Sequence, residues 1–218
     1  MKKTYWQRKK IVKEFSNDKP SISLLRFLNK LPNHKLTTIL DLGCGGGRNT
    51  EMIFKKEFKI YACDNSTAMV KQTMRRMSKF ITPNTIKSQI TKATMVKLPY
   101  KNNFFDVIIS NGVFHNAISV NMLNKAIQES CRVLKNEGKL YINMFYKFKN
   151  TTNVKNTNHP DVYLTKSGLK MTLLSQKNLL NIFKKNGFTL DSNVKSYKKE
   201  LNVGNRGVFR AIFIKDKK

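Results

Sequence analysis

The stretch from Thr38 to Thr50 constrains this chain more than any other part of its sequence. It reads T-I-L-D-L-G-C-G-G-G-R-N-T, an apolar run that ends in an acid and enters a glycine-rich turn. This order predicts a β-strand, a tight turn and the N-terminus of a helix. Glycine at positions 43 and 45 lets the backbone bend sharply and lets a ligand approach it closely.

The spacing between two acids along the sequence also indicates a nucleotide-binding site. Asp64 comes 23 residues after Asp41, at the end of the apolar run Ile60-Tyr61-Ala62-Cys63. A carboxylate at this place can accept hydrogen bonds from both hydroxyl groups of a ribose. The glycine turn and the spaced acid, each at a strand end, together predict a cofactor that contains adenosine.

Two common nucleotide-binding motifs do not fit. The dinucleotide fingerprint G-x-G-x-x-G, started at Gly43, needs glycine at position 48, where this chain has Arg48. The sequence also lacks the G-x-x-x-x-G-K-[ST] pattern of a P-loop nucleotide triphosphatase.

The segment D-L-G-C-G-G-G at 41–47 resembles motif I of class I S-adenosylmethionine (SAM)-dependent methyltransferases. The resemblance continues in A-C-D-N-S-T-A-M-V (62–70), L-P-Y-K-N-N-F-F-D (98–106) and R-V-L-K-N-E-G-K-L (132–140). It implies an α/β, Rossmann-like fold with a mainly parallel seven-stranded sheet and a C-terminal antiparallel hairpin. The sequence G-R-N at 47–49 is similar to tellurite-resistance-type and other small-molecule methyltransferases, whereas 98–106 and G-V-F-H at 112–115 also resemble tRNA wobble-uridine methyltransferases.

The chain divides into three segments in this interpretation. Residues 1–34 are expected to form an N-terminal helical cap, and residues 35–146 the SAM-binding core. Residues 147–218 are expected to add a loop or lid over 147–168, a helix and the C-terminal hairpin to the same domain. The loop prediction rests on the abundance of Asn, Thr and Lys in 147–168.

The resemblance implies a set of SAM-binding residues. The three scattered histidines suggest no zinc site, and no metal ligands are predicted. Asp64 is expected to bind the ribose, and Asp41 the amino group of SAM or the glycine turn. The family often has an acid near position 94 that binds the adenine, and this chain offers Thr94 and Met95 instead. The complete set of expected cofactor residues is Asp41, Gly43, Cys44, Gly45, Asp64, Asn65, Thr94, Met95, Ser110 and Asn111.

His115 is the candidate catalytic residue. It follows the fourth predicted strand, and ligands of open α/β sheets lie beyond the carboxyl ends of the strands. The ordinary pKa of histidine suits a general base near neutral pH. The alternative is that His115 shapes the cavity or begins the next helix.

The net charge of +29 raises the question of the methyl acceptor. Lys and Arg attract the phosphates of RNA, and such residues should cluster on one face of an RNA-binding protein. Along this sequence they are spread over the whole chain, which favours a codon bias. We therefore predict a small-molecule acceptor, with a tRNA as the alternative and a non-catalytic SAM-binding partner subunit as the second alternative.

The remaining sequence features predict a cytoplasmic protein. No apolar run of 18 residues is present, so no membrane span is expected. The basic N-terminus lacks the apolar segment of a signal peptide. The three cysteines, Cys44, Cys63 and Cys131, show no paired or metal-ligand spacing and are expected to be reduced.

Overall fold

The computed structural model describes residues 5–32, 34–149, 151–201 and 204–217. The chain forms two compact units. The first unit comprises Met1–Thr94 with Phe105–Val107, and the second comprises Met95–Phe104 with Ile108–Lys218.

The first unit alternates strands and helices after two N-terminal helices. Its elements are α1 (Lys9–Asn17), α2 (Ile22–Leu28), β1 (Thr38–Leu42), α3 (Arg48–Lys55), β2 (Lys59–Asp64), α4 (Thr67–Met77), α5 (Pro83–Gln89) and β3 (Ile90–Lys92). Strand β1 pairs in parallel with β2, with Leu42 opposite Cys63, and β2 pairs in parallel with β3. This register brings the carboxyl ends of β1 and β2 to the same edge.

Local sequence explains where the helices of this unit begin. The hydroxyl group of Ser66 accepts a hydrogen bond from the N–H of Met69 and caps α4. Thr82 caps α5 in the same way, and Pro83 occupies the first turn, where a missing N–H costs nothing.

The second unit contains most of the antiparallel pairing. Its elements are β4 (Phe105–Asn111, whose first three residues belong to the first unit), α6 (Val120–Val133), β5 (Leu134–Tyr146), β6 (Val154–Asn156), β7 (Val162–Thr165), β8 (Lys170–Thr172), α7 (Gln176–Lys185), β9 (Phe188–Leu190), β10 (Lys195–Lys199) and β11 (Arg206–Lys215). Strand β11 runs antiparallel to β5, β9 and β10. The predicted C-terminal antiparallel hairpin is therefore confirmed as β10 and β11.

Two features differ from the sequence predictions. The main sheet has eight strands among the described residues, not seven, because the turn-forming residues Asp191-Ser192-Asn193 divide one expected strand into β9 and β10. Within the expected loop at 147–168, the structure has strands β6 and β7, which form a separate antiparallel sheet with β8. Apolar side chains such as Val162 and Met171 are buried there, which the polar composition of the segment concealed.

Each unit has its own apolar core. In the first unit, Ala62, Val70, Met77 and Ile90 belong to one buried cluster. In the second, the rings of Phe183 and Phe213 stack with their centroids 4.4 Å apart. No helix in the described part of the chain is long and apolar enough to span a membrane.

Candidate functional site

The glycine turn after β1 has a backbone that only glycine adopts easily. Gly43, Gly45 and Gly47 have φ angles of 70°, 56° and 80°, in the left-handed region. The N–H groups of Gly43 and Cys44 both donate to the carbonyl of Cys63, at 2.8 and 2.9 Å. These bonds fix the turn against the end of β2.

Asp64 lies against this turn, as its spacing predicted. Its Oδ2 accepts a hydrogen bond from the N–H of Gly45 at 3.0 Å, and its Oδ1 accepts one from Ser66 at 2.8 Å. Burial raises the pKa of the Asp64 carboxyl above its ordinary value, although these backbone N–H groups act in the opposite direction. A carboxylate can accept about four hydrogen bonds, so Asp64 keeps acceptor capacity beyond its backbone donors. Apart from Gly45 and its chain neighbours, no described atom lies within 4 Å of the point where a Cβ would stand on Gly45. The site therefore combines free acceptor capacity with open space beside the turn.

Asp41 is the more deeply buried acid, with 1% of its surface exposed. The Oγ1 of Thr50 donates to its Oδ2 at 2.6 Å. Burial raises the pKa of Asp41 to about 6, with a further contribution from the negative charge of Asp64. Arg48 acts in the opposite direction and forms an ion pair with Asp18. Thr50 was not among the predicted site residues, although its place in the first turn of α3 directs it toward the strand end.

The raised pKa makes SAM affinity pH-dependent if Asp41 binds the SAM amino group. A cation binds the carboxylate form, and at pH values below about 6 the free protein holds Asp41 mostly protonated. We expect the affinity for SAM to fall by up to about tenfold per pH unit below that value, because one proton must leave for each ligand bound. Calorimetric titration between pH 5 and pH 8 measures this.

The Asp41→Asn variant is the control for this pH effect. It should bind SAM more weakly at pH 8 and lose most of the fall in SAM affinity below pH 6. A wild-type affinity that stays constant from pH 5 to pH 8 would contradict the assignment of Asp41 to the SAM amino group.

The contribution of Asp41 to folding stability depends on pH in the opposite direction. A pKa raised from 3.8 to about 6 means that the folded chain binds the proton more tightly, so this contribution to stability is present at low pH and declines between those values.

Two side chains of α4 donate hydrogen bonds to carbonyl groups of the glycine turn. The Oγ1 of Thr73 donates to the carbonyl of Gly45 at 2.7 Å, and the Nε of Arg76 donates to the carbonyl of Gly46 at 2.9 Å. Neither residue was predicted to contact the turn. The sequence signal for both was their spacing of three residues on a predicted helix, which places them on one face.

Arg76 also connects the turn to α1 and α3. Its guanidinium donates to Glu51 on α3, at 2.7 Å, and to the carbonyl of Ser16 on α1. A Cβ added at Gly46 would overlap Ser16, so α1 lies in direct contact with the turn. The first unit thus holds its N-terminal helix on the predicted cofactor-binding loop.

The turn cysteine, Cys44, presents only its backbone to a ligand. Its side chain is buried and lies 3.5 Å from the Oγ1 of Thr73. Burial raises the pKa of the Cys44 thiol well above its ordinary value, and burial raises that of Cys63 to about 12. Both thiols therefore stay protonated and are unsuited to nucleophilic chemistry.

Three further predicted residues follow β2 and β3. Asn65 is exposed directly after Asp64, and Thr94 is exposed after β3. The side chain of Met95, in the second unit, is buried. Among the described residues, no group of three or more His, Cys, Asp or Glu side chains could hold a metal ion.

Ser110 and Asn111 end β4 in the second unit. The buried Oγ of Ser110 has no hydrogen-bond partner among the described residues. The Oδ1 of Asn111 accepts a bond from Asn143 at 2.8 Å, and the buried Oδ1 of Asn143 also lacks a described partner. Buried polar atoms of this kind need a partner, so they indicate a ligand or water site. Asn143 was not among the predicted site residues, and its signal in the sequence is a polar residue between the apolar residues of β5.

His115 is buried, with 5% of its surface exposed. The N–H of Phe145 donates to its Nδ1 at 3.2 Å, so the proton of the neutral imidazole is assigned to Nε2. Burial, together with the positive charge of Arg206, lowers the pKa of His115 to about 3. Arg206 is itself fully buried and donates to the carbonyls of Thr152 and Asn205. A neutral His115 with both nitrogens so assigned can donate through Nε2 but has no free lone pair for a general base.

Comparison with known proteins gives a partial family match. Residues 40–142 match the family model described as "Methyltransferase domain". This region therefore resembles a methyltransferase domain, and the match covers a little less than half of the chain. It contains the glycine turn, Asp64 and His115. Its fold agrees with a SAM-dependent methyltransferase from Methanosarcina mazei, which has a TM-score of 0.70 at 16% identity over 91% of this chain and 100% of that one.

Two further matches inform the questions of cofactor and acceptor. The 1,6-didemethyltoxoflavin-N1-methyltransferase of Burkholderia thailandensis, solved with its substrate and S-adenosylhomocysteine, has a TM-score of 0.60 at 14% identity over 83% of this chain and 71% of that one. The tRNA (carboxymethyluridine(34)-5-O)-methyltransferase of Arabidopsis thaliana is 31% identical over 123 residues, which cover 55% of this chain and 26% of that protein. The chain spans less than half the length of the curated relatives it matches.

Proposed function

We propose that this protein transfers a methyl group from SAM to a nucleotide of RNA. The observation that carries the methyl-transfer part is the arrangement of Asp64 on the glycine turn. Its carboxylate accepts two backbone N–H bonds and keeps acceptor capacity for a ribose, beside open space at Gly45. The family match over 40–142 supports the same cofactor.

The chain's own residues have distinct proposed tasks in holding SAM. When bound, SAM supplies an activated methyl group on its sulfonium. Asp64 binds the ribose, Asp41 binds the amino group, and the N–H groups of the turn at Gly43, Cys44 and Gly45 lie along the ligand. Asn65, Thr94, Met95, Ser110 and Asn111 complete the proposed cofactor set. The unsatisfied hydroxyl of Ser110 supports its inclusion, because a ligand would supply the missing partner.

His115 is proposed to donate a hydrogen bond to the acceptor through Nε2. This replaces the general-base role expected from the sequence. Its support is the bond from Phe145 to Nδ1 and a pKa of about 3, which keeps the ring neutral over the physiological range. Such a donor orients the acceptor, which is the main contribution that a protein makes when the methyl group is already activated.

RNA becomes the preferred acceptor because the small-molecule prediction depended on a loop over 147–168 and on charge spread evenly along the chain. Part of the expected loop at 147–168 forms β6 and β7. In the first unit, Lys9, Lys13, Arg75 and Lys79 line two adjoining hollows along α1 and α4, and neighbouring cations of this kind favour an RNA partner. The 31% identity with a tRNA methyltransferase over 123 residues supports this choice.

A small-molecule acceptor remains the second candidate, supported by the buried oxygens of Ser110 and Asn143 without described partners. The two candidates are distinguished by incubating the protein with methyl-labelled SAM and either total RNA or the small-molecule fraction of a cell extract. We expect label at one defined nucleoside of RNA near physiological salt, detected by mass spectrometry of digested RNA. Label only in the small-molecule fraction would replace RNA as the acceptor.

A further inference from the structure

Two adjoining surface hollows follow α1 and α4 in the first unit. They share Gln72 and Arg75, and together they form what we call the α1–α4 groove. Its main lining residues are Lys9, Lys13, Gln72, Arg75, Lys79 and Phe80. None of the elements that build this groove belongs to the second unit.

The groove carries more positive than negative charge. Residues 5–18 and 67–80 contain eight Lys or Arg and only two acids, Glu14 and Asp18. A third acid, Glu51, lines the groove and is paired with Lys55 and Arg76. Asp18 is already paired with Arg48. No described carboxylate forms an ion pair with the four exposed groove cations, Lys9, Lys13, Arg75 and Lys79.

The shape of this charge fits an extended polyanion. The eleven residues of α4 extend over roughly 16 Å at the rise of an α-helix, Arg75 lies in its last turn, and Lys79 follows just beyond its C-terminal end. A single phosphate or carboxylate would need cations that converge on one point. Cations spread along a groove instead match successive phosphates of a nucleic-acid strand, whose binding releases counterions.

An aromatic side chain closes the distal end of the groove. Phe80 is 39% exposed, with its ring 5.8 Å from that of Phe54. The Nζ of Lys55 lies 5.1 Å from the centroid of the Phe80 ring. Proteins that bind single-stranded nucleic acids present aromatic rings among cations, and the bases stack on these rings.

The other end of the groove lies close to the proposed SAM site. Ala68, which lines the groove, is four residues beyond Asp64. The hydroxyl of Ser66 donates to the carbonyl of Trp6, which joins the N-terminal segment to the start of α4. A strand in the groove would thus lead to the carboxyl end of β2.

We propose that the α1–α4 groove binds the phosphate backbone of the RNA acceptor. This inference rests on the proposed function and assigns the contact that holds the RNA outside the methyl-transfer site. Arg76 is excluded from the binding set because its guanidinium already holds Gly46, Glu51 and Ser16. The phosphate contacts are assigned to Lys9, Lys13, Arg75 and Lys79.

The test compares two double charge reversals of equal size. The groove variant is Arg75→Glu with Lys79→Glu, and the control is Lys125→Glu with Lys177→Glu, two exposed lysines on α6 and α7. Fluorescence anisotropy with labelled total tRNA, at several salt concentrations, gives the affinity and its salt slope. We expect the groove variant to lose at least tenfold in affinity and the magnitude of its salt slope to fall by about 1.4–1.8, because each of the two lost phosphate contacts removes roughly 0.7–0.9 from the slope.

The control should lose less than about threefold and keep its slope. Equal losses in both variants would show that only the total charge matters, and unchanged binding in the groove variant would overturn the proposal outright. If the Glu variant unfolds, as judged by circular dichroism, Arg75→Gln with Lys79→Gln provides the same comparison with a smaller expected loss.

The measurements distinguish failure of the groove proposal from failure of the proposed function. Binding of S-adenosylhomocysteine, measured by calorimetry, should be equal in wild type and both variants. RNA that binds through the groove without being methylated would remove RNA as acceptor and leave the groove standing. RNA methylation that is equal in both variants would leave the function standing and remove the groove.

Discussion

Replacing Asp64 with alanine should lower the affinity for SAM at least tenfold. The side chain is assigned the ribose hydroxyls, and hydrogen bonds to a charged group contribute about 1.5–3 kcal/mol. The loss of the Gly45 and Ser66 bonds should also loosen the turn itself. Calorimetric titration with SAM and with S-adenosylhomocysteine measures the effect.

Two comparison variants identify the origin of that loss. Asp64→Asn keeps one carbonyl oxygen as an acceptor and should bind SAM with intermediate affinity. Asp191→Ala removes a surface acid that pairs with Lys139 in the second unit and should leave the affinity unchanged. An Asp64→Ala variant that binds SAM as tightly as wild type would remove Asp64 from the cofactor site.

Replacing His115 should lower turnover while leaving the affinity for SAM nearly intact. Loss of the hydrogen bond that Nε2 is proposed to donate to the acceptor costs about 1–3 kcal/mol, or about 5–150-fold in kcat for His115→Ala, whereas the unpaired N–H of Phe145 lowers the folding stability. Because burial lowers the pKa of His115 to about 3, kcat should show no ionisation of this residue between pH 5 and pH 8. The measurements are single-turnover rates and a pH profile with the identified acceptor.

Two amide variants separate the donor role from a base role. His115→Gln places an N–H near the position of Nε2 and should retain much of the rate. His115→Asn can still accept from Phe145 N–H but withdraws the Nε2 donor, so it should resemble alanine. Equal loss in both amide variants, with a wild-type profile that rises with pH near 6.5, would restore the general-base interpretation.

Local sequence was sufficient to predict the turn and the start of α4. The left-handed φ angles at positions 43, 45 and 47 favour glycine, and Ser66 supplies the N-cap of α4 soon after β2 ends. Asp64 could be predicted because parallel strands bring their carboxyl ends to one edge whatever lies between them. The eighth strand was missed because β9 has only three residues, too few for a periodic pattern.

The sequence by itself determined the position of the glycine turn and predicted the methyltransferase resemblance and the cofactor class, because these depend on residues that are close along the chain. The tertiary structure decided what depends on distant partners. Only folding brings the Phe145 N–H to Nδ1 of His115, which assigns its proton, and Arg76 to Gly46 and Ser16. Only folding places α1 against α4, so that cations from two separate segments line one groove. The side chains on a helix face repeat with a period that the sequence shows, but the neighbour of that face is set by packing.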